Sequence, residues 1–286
     1  MTSTPNEWTI LSVLEWGTSY FEKKGVNNPR LSIEWLLAHI LGMKRLNLYL
    51  IFDRPVSAEE LQEIKPLIKR RASHEPLQYI VGETDFYNTR IKVTPDVLIP
   101  RPETEELVEQ VLTSHKKGDE LTVLDIGTGS GCIPIALKKN AKSWSVFGTD
   151  ISSSALKIAK QNAALNDVEI SFFEDDLFNS MAFVDKQFDI IISNPPYILR
   201  EEESSLDDEV KNFEPDTALF CDSTQEMYQA LFDFADRFLV SGGTLYLELN
   251  ARTATEVDII FENENWTASI LKDLGEKPRF LVAKKI

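Results

Sequence analysis

Four consecutive residues, Asn194-Pro195-Pro196-Tyr197, carry the most specific chemistry in the sequence. Two adjacent prolines fix two φ angles and remove two N–H donors, and Pro196 holds Pro195 extended. The Pro195 carbonyl is thereby kept out of helix and sheet pairing and can be aimed into a cleft. Asn194 offers a side-chain carbonyl oxygen beside it. Two acceptors at a fixed separation match the two hydrogens of an NH2 group, and Tyr197 supplies a flat face for a planar group. An amide nitrogen is a poor nucleophile because its lone pair is delocalised, which gives the C–N bond a rotational barrier of about 18–20 kcal/mol. Acceptors on both hydrogens return electron density to nitrogen and aim it at an electrophile, so positioning and electrostatics carry most of the rate. No strong base is needed, because the alkylated cationic nitrogen is acidic enough to pass its proton to Asn194 or water. These residues predict group transfer to a planar NH2, with Asn194, Pro195 and Tyr197 catalytic and all of 194–197 touching substrate.

A second cluster could hold the donor. The apolar run Leu121 to Ile126 leads directly into Gly127-Thr128-Gly129-Ser130-Gly131. Glycines there let the backbone turn sharply and let a ligand approach without Cβ atoms in the way. The spacing is G-x-G-x-G, with Cys132 where the third glycine of a dinucleotide fingerprint would fall. Asp125 precedes the bend; a carboxylate there suits a ligand with a positive amino group and not a pyrophosphate. Asp150 ends the next predicted strand, where it can accept from both hydroxyls of a ribose. Glu174-Asp175-Asp176-Leu177 ends a third, with an acid for an adenine amino group and Leu177 to pack on the ring. These features favour S-adenosylmethionine over a nicotinamide cofactor, with Asp125, Gly127, Thr128, Gly129, Ser130, Gly131, Asp150, Asp176 and Leu177 around it.

The elements that must position these residues follow from periodicity. From Leu121 onward strands are predicted over 121–126, 145–150, 168–173, 187–193, 243–249, 267–271 and 279–284. Helices are predicted over 131–140, 153–165, 224–240 and 252–264. Alternation of this kind predicts a mostly parallel sheet covered on both faces. The connection Lys272 to Pro278 is too short for a crossover helix, so the last strand should run antiparallel. Upstream, Trp8 to Leu14 and Leu31 to Leu41 have helical spacing, with Pro29 and Ser32 at a helix start. Asn47 to Ile51 predicts a third helix. Ser57 with Glu60 predicts a capping box opening a fourth, which Pro66 should interrupt or kink. Leu77 to Val81 and Thr89 to Val93, around Gly82, predict a hairpin linker, and Glu103 to Lys117 an amphipathic helix.

At these residues the chain resembles the HemK/PrmC family of release factor glutamine methyltransferases. The resemblance rests on Glu75 to Ile80, Leu98-Ile99-Pro100-Arg101-Pro102-Glu103-Thr104-Glu105, Asp125 to Gly131, Asn194 to Tyr197, Phe213-Glu214-Pro215 and Thr217-Ala218-Leu219. It implies a Rossmann-like class I methyltransferase domain over 98–286, with a seven-stranded sheet whose last strand is antiparallel. It also implies a helical substrate-recognition domain over 1–75 and a β-hairpin linker over 76–97. The implied reaction is methylation of the glutamine amide in the Gly-Gly-Gln motif of peptide chain release factors, with donor contacts implied at Gly127 to Gly131, Asp150 and Asn194 and substrate contacts at Asn194 to Tyr197. Leu177, often aromatic in the family, and Leu249-Asn250 after Glu248 depart from its pattern.

Bulk properties bound the alternatives. The chain has 286 residues and a net charge of −16. Residues 1–75 are near neutral, with 10 basic and 9 acidic side chains. The rest is strongly acidic, which disfavours phosphate backbones as partners. An amino methyltransferase acting on adenine or guanine in nucleic acid shares Asn194 to Tyr197 and stays the rival reading. Against it, six of the nine residues 201–209 are acidic, although that run also reads as a solvated loop. Lys65, Lys69, Arg70 and Arg71 read as a solvated helix face or an RNA foothold. A non-catalytic adaptor is disfavoured by intact Asn194 and Asp150. Met1 to Trp8 lacks a signal-peptide pattern, Cys132 and Cys221 read as reduced thiols, and His39, His74 and His115 give no metal spacing. A cytoplasmic monomer with a protein substrate, no metal, no direct nucleic-acid contact and no membrane partner is expected.

Overall fold

The computed structural model describes residues 8–261 and 263–286. The signal-peptide reading of Met1 to Trp8 falls almost wholly outside the described residues, as does Glu262 of the helix expected over 252–264. The chain gathers into two compact units. One is drawn from residues up to Gly82 together with Asp207–Phe213, the other from Glu83–Leu206 and Glu214–Ile286. Among the described residues no helix is long and apolar enough to cross a membrane.

The first unit is helical: α1 (Ile10–Lys23), α2 (Pro29–Ile40), a 3-10 turn over Arg45–Leu50, α3 (Ala58–Ala72) and α4 (Leu77–Val81). Its core is Ile10, Val13, Leu14, Phe21, Ile33, Leu36, Leu37, Ile64 and Ile68. Gly17 sets how closely α1 meets α2, since a Cβ there would lie 2.4 Å from Ile33 Cγ1. The capping box opens α3 as expected, with Glu60 N–H donating to Ser57 Oγ at 3.2 Å and Ser57 N–H to Glu60 Oε2 at 2.9 Å. Pro66 does not interrupt that helix, which runs through it. The predicted third helix is the 3-10 turn instead.

The basic cluster on α3 is not a uniformly solvated face. Arg71 is only 3% exposed. Its guanidinium donates to Ser32 Oγ (3.1 Å), the Glu75 carbonyl (2.8 Å), the Asn27 carbonyl (3.2 Å) and Glu209 Oε1 (2.8 Å). Arg70 pairs with Glu75. Glu209 belongs to the acidic run, so that run is not simply a free loop.

The second unit opens with a hairpin, β1 (Glu83–Phe86) and β2 (Thr89–Lys92), with Phe86 opposite Thr89. This corrects the expected hairpin, because Leu77–Val81 forms α4. Gly82, at φ +84°, caps that helix by donating its N–H to the Gln78 carbonyl at 2.7 Å. The turn is made by Tyr87 and Asn88, both at positive φ, as a two-residue hairpin connection requires. Then follow α5 (Pro102–Ser114), β3 (Thr122–Ile126), α6 (Cys132–Asn140), β4 (Ser145–Asp150), α7 (Ser153–Leu165), β5 (Ser171–Glu174), β6 (Phe188–Ser193) and the short β7 (Ile198–Leu199). After giving α8 (Asp208–Phe213) to the first unit, the chain continues through α9 (Asp216–Leu219), β8 (Phe220–Cys221), α10 (Thr224–Phe238), β9 (Leu239–Glu248), α11 (Ala254–Ile260), β10 (Trp266–Lys272) and β11 (Pro278–Lys285). The main sheet has seven strands in the order β10-β11-β9-β6-β3-β4-β5. The last strand is antiparallel to both neighbours, as the short connection demands. Its central strands are buried aliphatic runs such as Ile190, Ile191 and Ile192, all fully buried, as expected for a sheet covered on both faces.

Candidate active site

The two motifs leave the sheet side by side. Strands β3 and β6 are parallel neighbours, with Ile126 opposite Ser193. The Ser193 hydroxyl donates to the Ile126 carbonyl at 2.8 Å. Gly127 and Asn194 therefore emerge from adjacent strand ends at the carboxyl edge, where open α/β sheets bind ligands.

The glycine bend is tied to the end of β4. Thr128 N–H donates to the Thr149 carbonyl at 2.8 Å, and Gly129 N–H to Asp150 Oδ2 at 2.8 Å. The other Asp150 oxygen accepts from Ser152 N–H at 2.9 Å, so this carboxylate joins the bend to the start of α7; burial pushes its carboxyl up. Gly127 and Gly129 have φ of +70° and +52°, and a Cβ on either would meet nothing within 4 Å. Gly131 differs, because its Cβ would lie 3.1 Å from Ala159 Cβ, which makes it a helix-packing glycine. Thr128 and Ser130 are buried. Asn162 of α7, fully buried, donates to the Ser130 carbonyl at 2.9 Å and also binds both backbone groups of Lys92.

Asp125 lies beneath the bend at 1% exposure. Neither of its oxygens has a hydrogen-bond partner of good geometry. Burial drives its carboxyl up to about 8, a rise that the nearby Thr128 hydroxyl tempers. Asp176 is half-buried and caps the turn Leu177–Asn179, accepting from Phe178 N–H at 3.0 Å and Asn179 Nδ2 at 3.3 Å. Leu177 packs against the core of the sheet. Asp175 holds the following loop through Ser180, Met181 and Ala182, and Glu174 is exposed.

At the other motif, Pro195 is buried while Asn194, Pro196 and Tyr197 are half-buried. Asn194 Nδ2 donates to Thr104 Oγ1 at 3.0 Å. Thr104, in the first turn of α5, donates onward to Glu248 Oε2 at 2.7 Å. The Tyr197 hydroxyl donates to Glu248 Oε1 at 3.1 Å. Burial and the adjacent Glu248 charge push the Tyr197 phenol well up, so it acts as a neutral donor. Burial also raises Glu248, against the pull of the Thr104 and Tyr197 hydroxyls. Asn250 Nδ2 closes on the Tyr197 carbonyl at 3.4 Å. Glu214, 5% exposed, accepts from Ile99 N–H and from the Arg101 guanidinium at 2.6 Å, which fastens the segment leading into α5.

Comparison with known proteins assigns the chain. A family model described as the PrmC N-terminal domain matches residues 12–82, and one described as a methyltransferase small domain matches 103–212. The release factor glutamine methyltransferase of Geobacter sulfurreducens is 42% identical over 90% of this chain and 89% of its own length. The chain belongs to the release factor glutamine methyltransferase family. The Rhodopirellula baltica member is 39% identical over 99% of both chains. Among solved structures, the T. thermophilus 16S rRNA methyltransferase in complex with AdoMet and guanosine superposes with a TM-score of 0.52 at 19% identity, over 71% of this chain and 50% of that one. That likeness shows the class I methyltransferase fold.

For a methyltransferase of this family the bend is suitably built. Open space over Gly127 and Gly129 admits a ligand, and Asp125 keeps two buried acceptors without partners for a cationic donor. Sequence reasoning missed Asn162, Thr104, Glu214 and Glu248. Thr104 and Glu248 sit inside or beside segments that carry the family resemblance, but their joining across 144 residues is a product of the fold. Asp176 and Leu177 follow the carboxyl end of β5, with the Asp176 carboxylate already engaged as a cap.

Proposed function

We propose that this chain transfers a methyl group from S-adenosylmethionine to the side-chain nitrogen of the glutamine in the Gly-Gly-Gln motif of peptide chain release factors. The observation that carries the reading is the placement of Asn194. It stands at the end of β6, beside the glycine bend of β3, with its amide nitrogen engaged by Thr104 at 3.0 Å. Its oxygen is then the atom left to receive a substrate N–H. The Asn194 oxygen and the Pro195 carbonyl accept the two hydrogens of the glutamine amide, and Tyr197 gives that planar group a face to rest on. The donor, held by Asp125, Gly127 to Gly131 and Asp150, with Asp176 and Leu177 at its adenine end, supplies an electrophilic sulfonium methyl. Asn194 and Pro195 localise the nitrogen lone pair and orient it, and the proton of the methylated nitrogen leaves to the Asn194 oxygen or to water.

In this assignment residues 98–286 perform the transfer, residues 1–75 recognise the protein substrate, and residues 76–97 link them. The chain acts as a monomer in the cytoplasm. Glu201, Glu202 and Glu203, close behind Tyr197 in sequence, support a protein substrate over a phosphate backbone. Incubation with labelled donor and purified release factor, followed by mass mapping, should place the label on the glutamine nitrogen. Parallel reactions with RNA across a salt series test the rival, and label in RNA with none in the release factor would overturn this assignment.

A further inference from the structure

We propose that Thr104 and Glu248 are positioning residues that fix which end of the Asn194 amide faces the substrate. The proposal rests on the reading of Asn194 as an acceptor of amide hydrogens. An asparagine side chain is nearly symmetric in shape, and rotation by half a turn exchanges its oxygen and its NH2. Only one of the two orientations can serve an incoming NH2 group. Something must therefore select it before substrate arrives.

The selection is written in donor and acceptor counts. Glu248 is 1% exposed and Thr104 is 2% exposed, so neither exchanges partners with bulk water. Glu248 is an acceptor at both of its ends. Its two oxygens accept from Thr104 Oγ1 at 2.7 Å and from the Tyr197 hydroxyl at 3.1 Å. Thr104 has one hydroxyl hydrogen, and Glu248 takes it. Toward Asn194 the threonine can then only accept, and the 3.0 Å contact must be filled by the Asn194 NH2. A flipped Asn194 would set its carbonyl against a hydroxyl oxygen with no hydrogen between them. It would also turn two N–H groups toward a substrate that brings two of its own. The same carboxylate holds Tyr197, so the acceptor and the flat face are both referred to one buried group. Three separate elements meet here: the first turn of α5, the end of β9 and the turn after β6.

The test uses the full chain and purified release factor. Unaltered protein should methylate the glutamine; absence of that transfer would overturn both the functional reading and this inference. Given transfer, Thr104→Val keeps the shape and removes the hydroxyl. It should lower kcat about 100-fold, with KM for the release factor and donor binding within about threefold. Thr104→Ser keeps the hydroxyl and should hold kcat within about threefold. A purely packing role predicts the reverse ranking, because Ser loses the methyl that Val retains. If Thr104→Val fails to fold, Thr104→Cys, a weak hydrogen-bond partner, replaces it and should lower kcat at least tenfold relative to Thr104→Ser. Glu248→Gln adds hydrogens to one of two acceptors and should lower kcat about tenfold or more at unchanged KM. Unchanged kcat in Thr104→Val, equal losses in the Ser and Val variants, or full kcat in Glu248→Gln would each overturn the proposal.

Discussion

On the proposed reading Asn194 contributes one of two acceptors, so Asn194→Ala should leave donor binding largely in place while turnover falls by roughly 100- to 1000-fold, the scale for loss of one preorganised polar contact. Stopped-time methylation assays and donor titration by calorimetry separate the two effects. Asp125 makes a prediction of a different kind. Its folded-state value, about 8, lies above the ordinary carboxylate value of 3.8. The fold therefore favours the protonated form, and the stability this group contributes is present in acid and lost as pH rises through about 8. Between pH 5 and 8 the melting temperature of the unaltered protein should fall more steeply than that of Asp125→Asn. The same substitution should weaken donor binding by about tenfold or more, because the amide cannot ionise against a cationic donor as the carboxyl can. Parallel slopes would show that Asp125 is not the group responsible. The motifs 194–197 and 125–131, which the sheet brings side by side, were legible because each is contiguous and each residue type has a distinct physical use. Thr104, Glu248 and Asn162 were not, since an isolated threonine, glutamate or asparagine gains meaning only from partners far away in sequence.

Elements were legible where periodicity ran long. Strand β4 and helix α7 occupy the predicted residues 145–150 and 153–165. The errors cluster at short elements. Leu77 to Val81 is apolar and bounded by Gly82, which fits a strand as well as one helical turn; the bonds from Ile80 N–H to the Pro76 carbonyl and from Gly82 N–H to the Gln78 carbonyl make it a helix. The true hairpin turn, Tyr87-Asn88, carries no glycine and so gave no signal. Of the two outcomes expected at Pro66, interruption did not occur: α3 continues through it with Ile64 and Ile68 buried on its inner face. Asn162 tests how far elements are coupled. It joins α7, the β2 backbone and the glycine bend through three hydrogen bonds. Asn162→Leu leaves those buried groups unpaired and should destabilise the protein by about 2–4 kcal/mol, read by urea unfolding. On the helical side, Gly17→Ala gains helix propensity of about 1 kcal/mol but forces Ile33 aside, an overpacking cost of about 1–3 kcal/mol. The net expectation is destabilisation, and an increase in the denaturation midpoint would contradict the close α1–α2 approach.

At the scale of the molecule, composition and charge bounded the class but not how the chain is divided. The strongly acidic remainder suggested a solvated run at 201–209, yet part of it is structural. Glu209 is the carboxylate partner of buried Arg71. Arg71→Ala removes one side of that pair and should cost about 3–5 kcal/mol, whereas Lys69→Ala nearby should stay within about 0.5 kcal/mol. Thermal melting of both variants checks the contrast.

A compact body assembled from two stretches of chain cannot be excised with a single cut. A fragment ending at Gly82 keeps the guanidinium of Arg71 and loses Glu209, so it carries an interior cation whose counter-charge stayed behind. Truncation series or chimaeras that swap the amino-terminal 82 residues between relatives should fold poorly unless the 207–213 stretch travels with them.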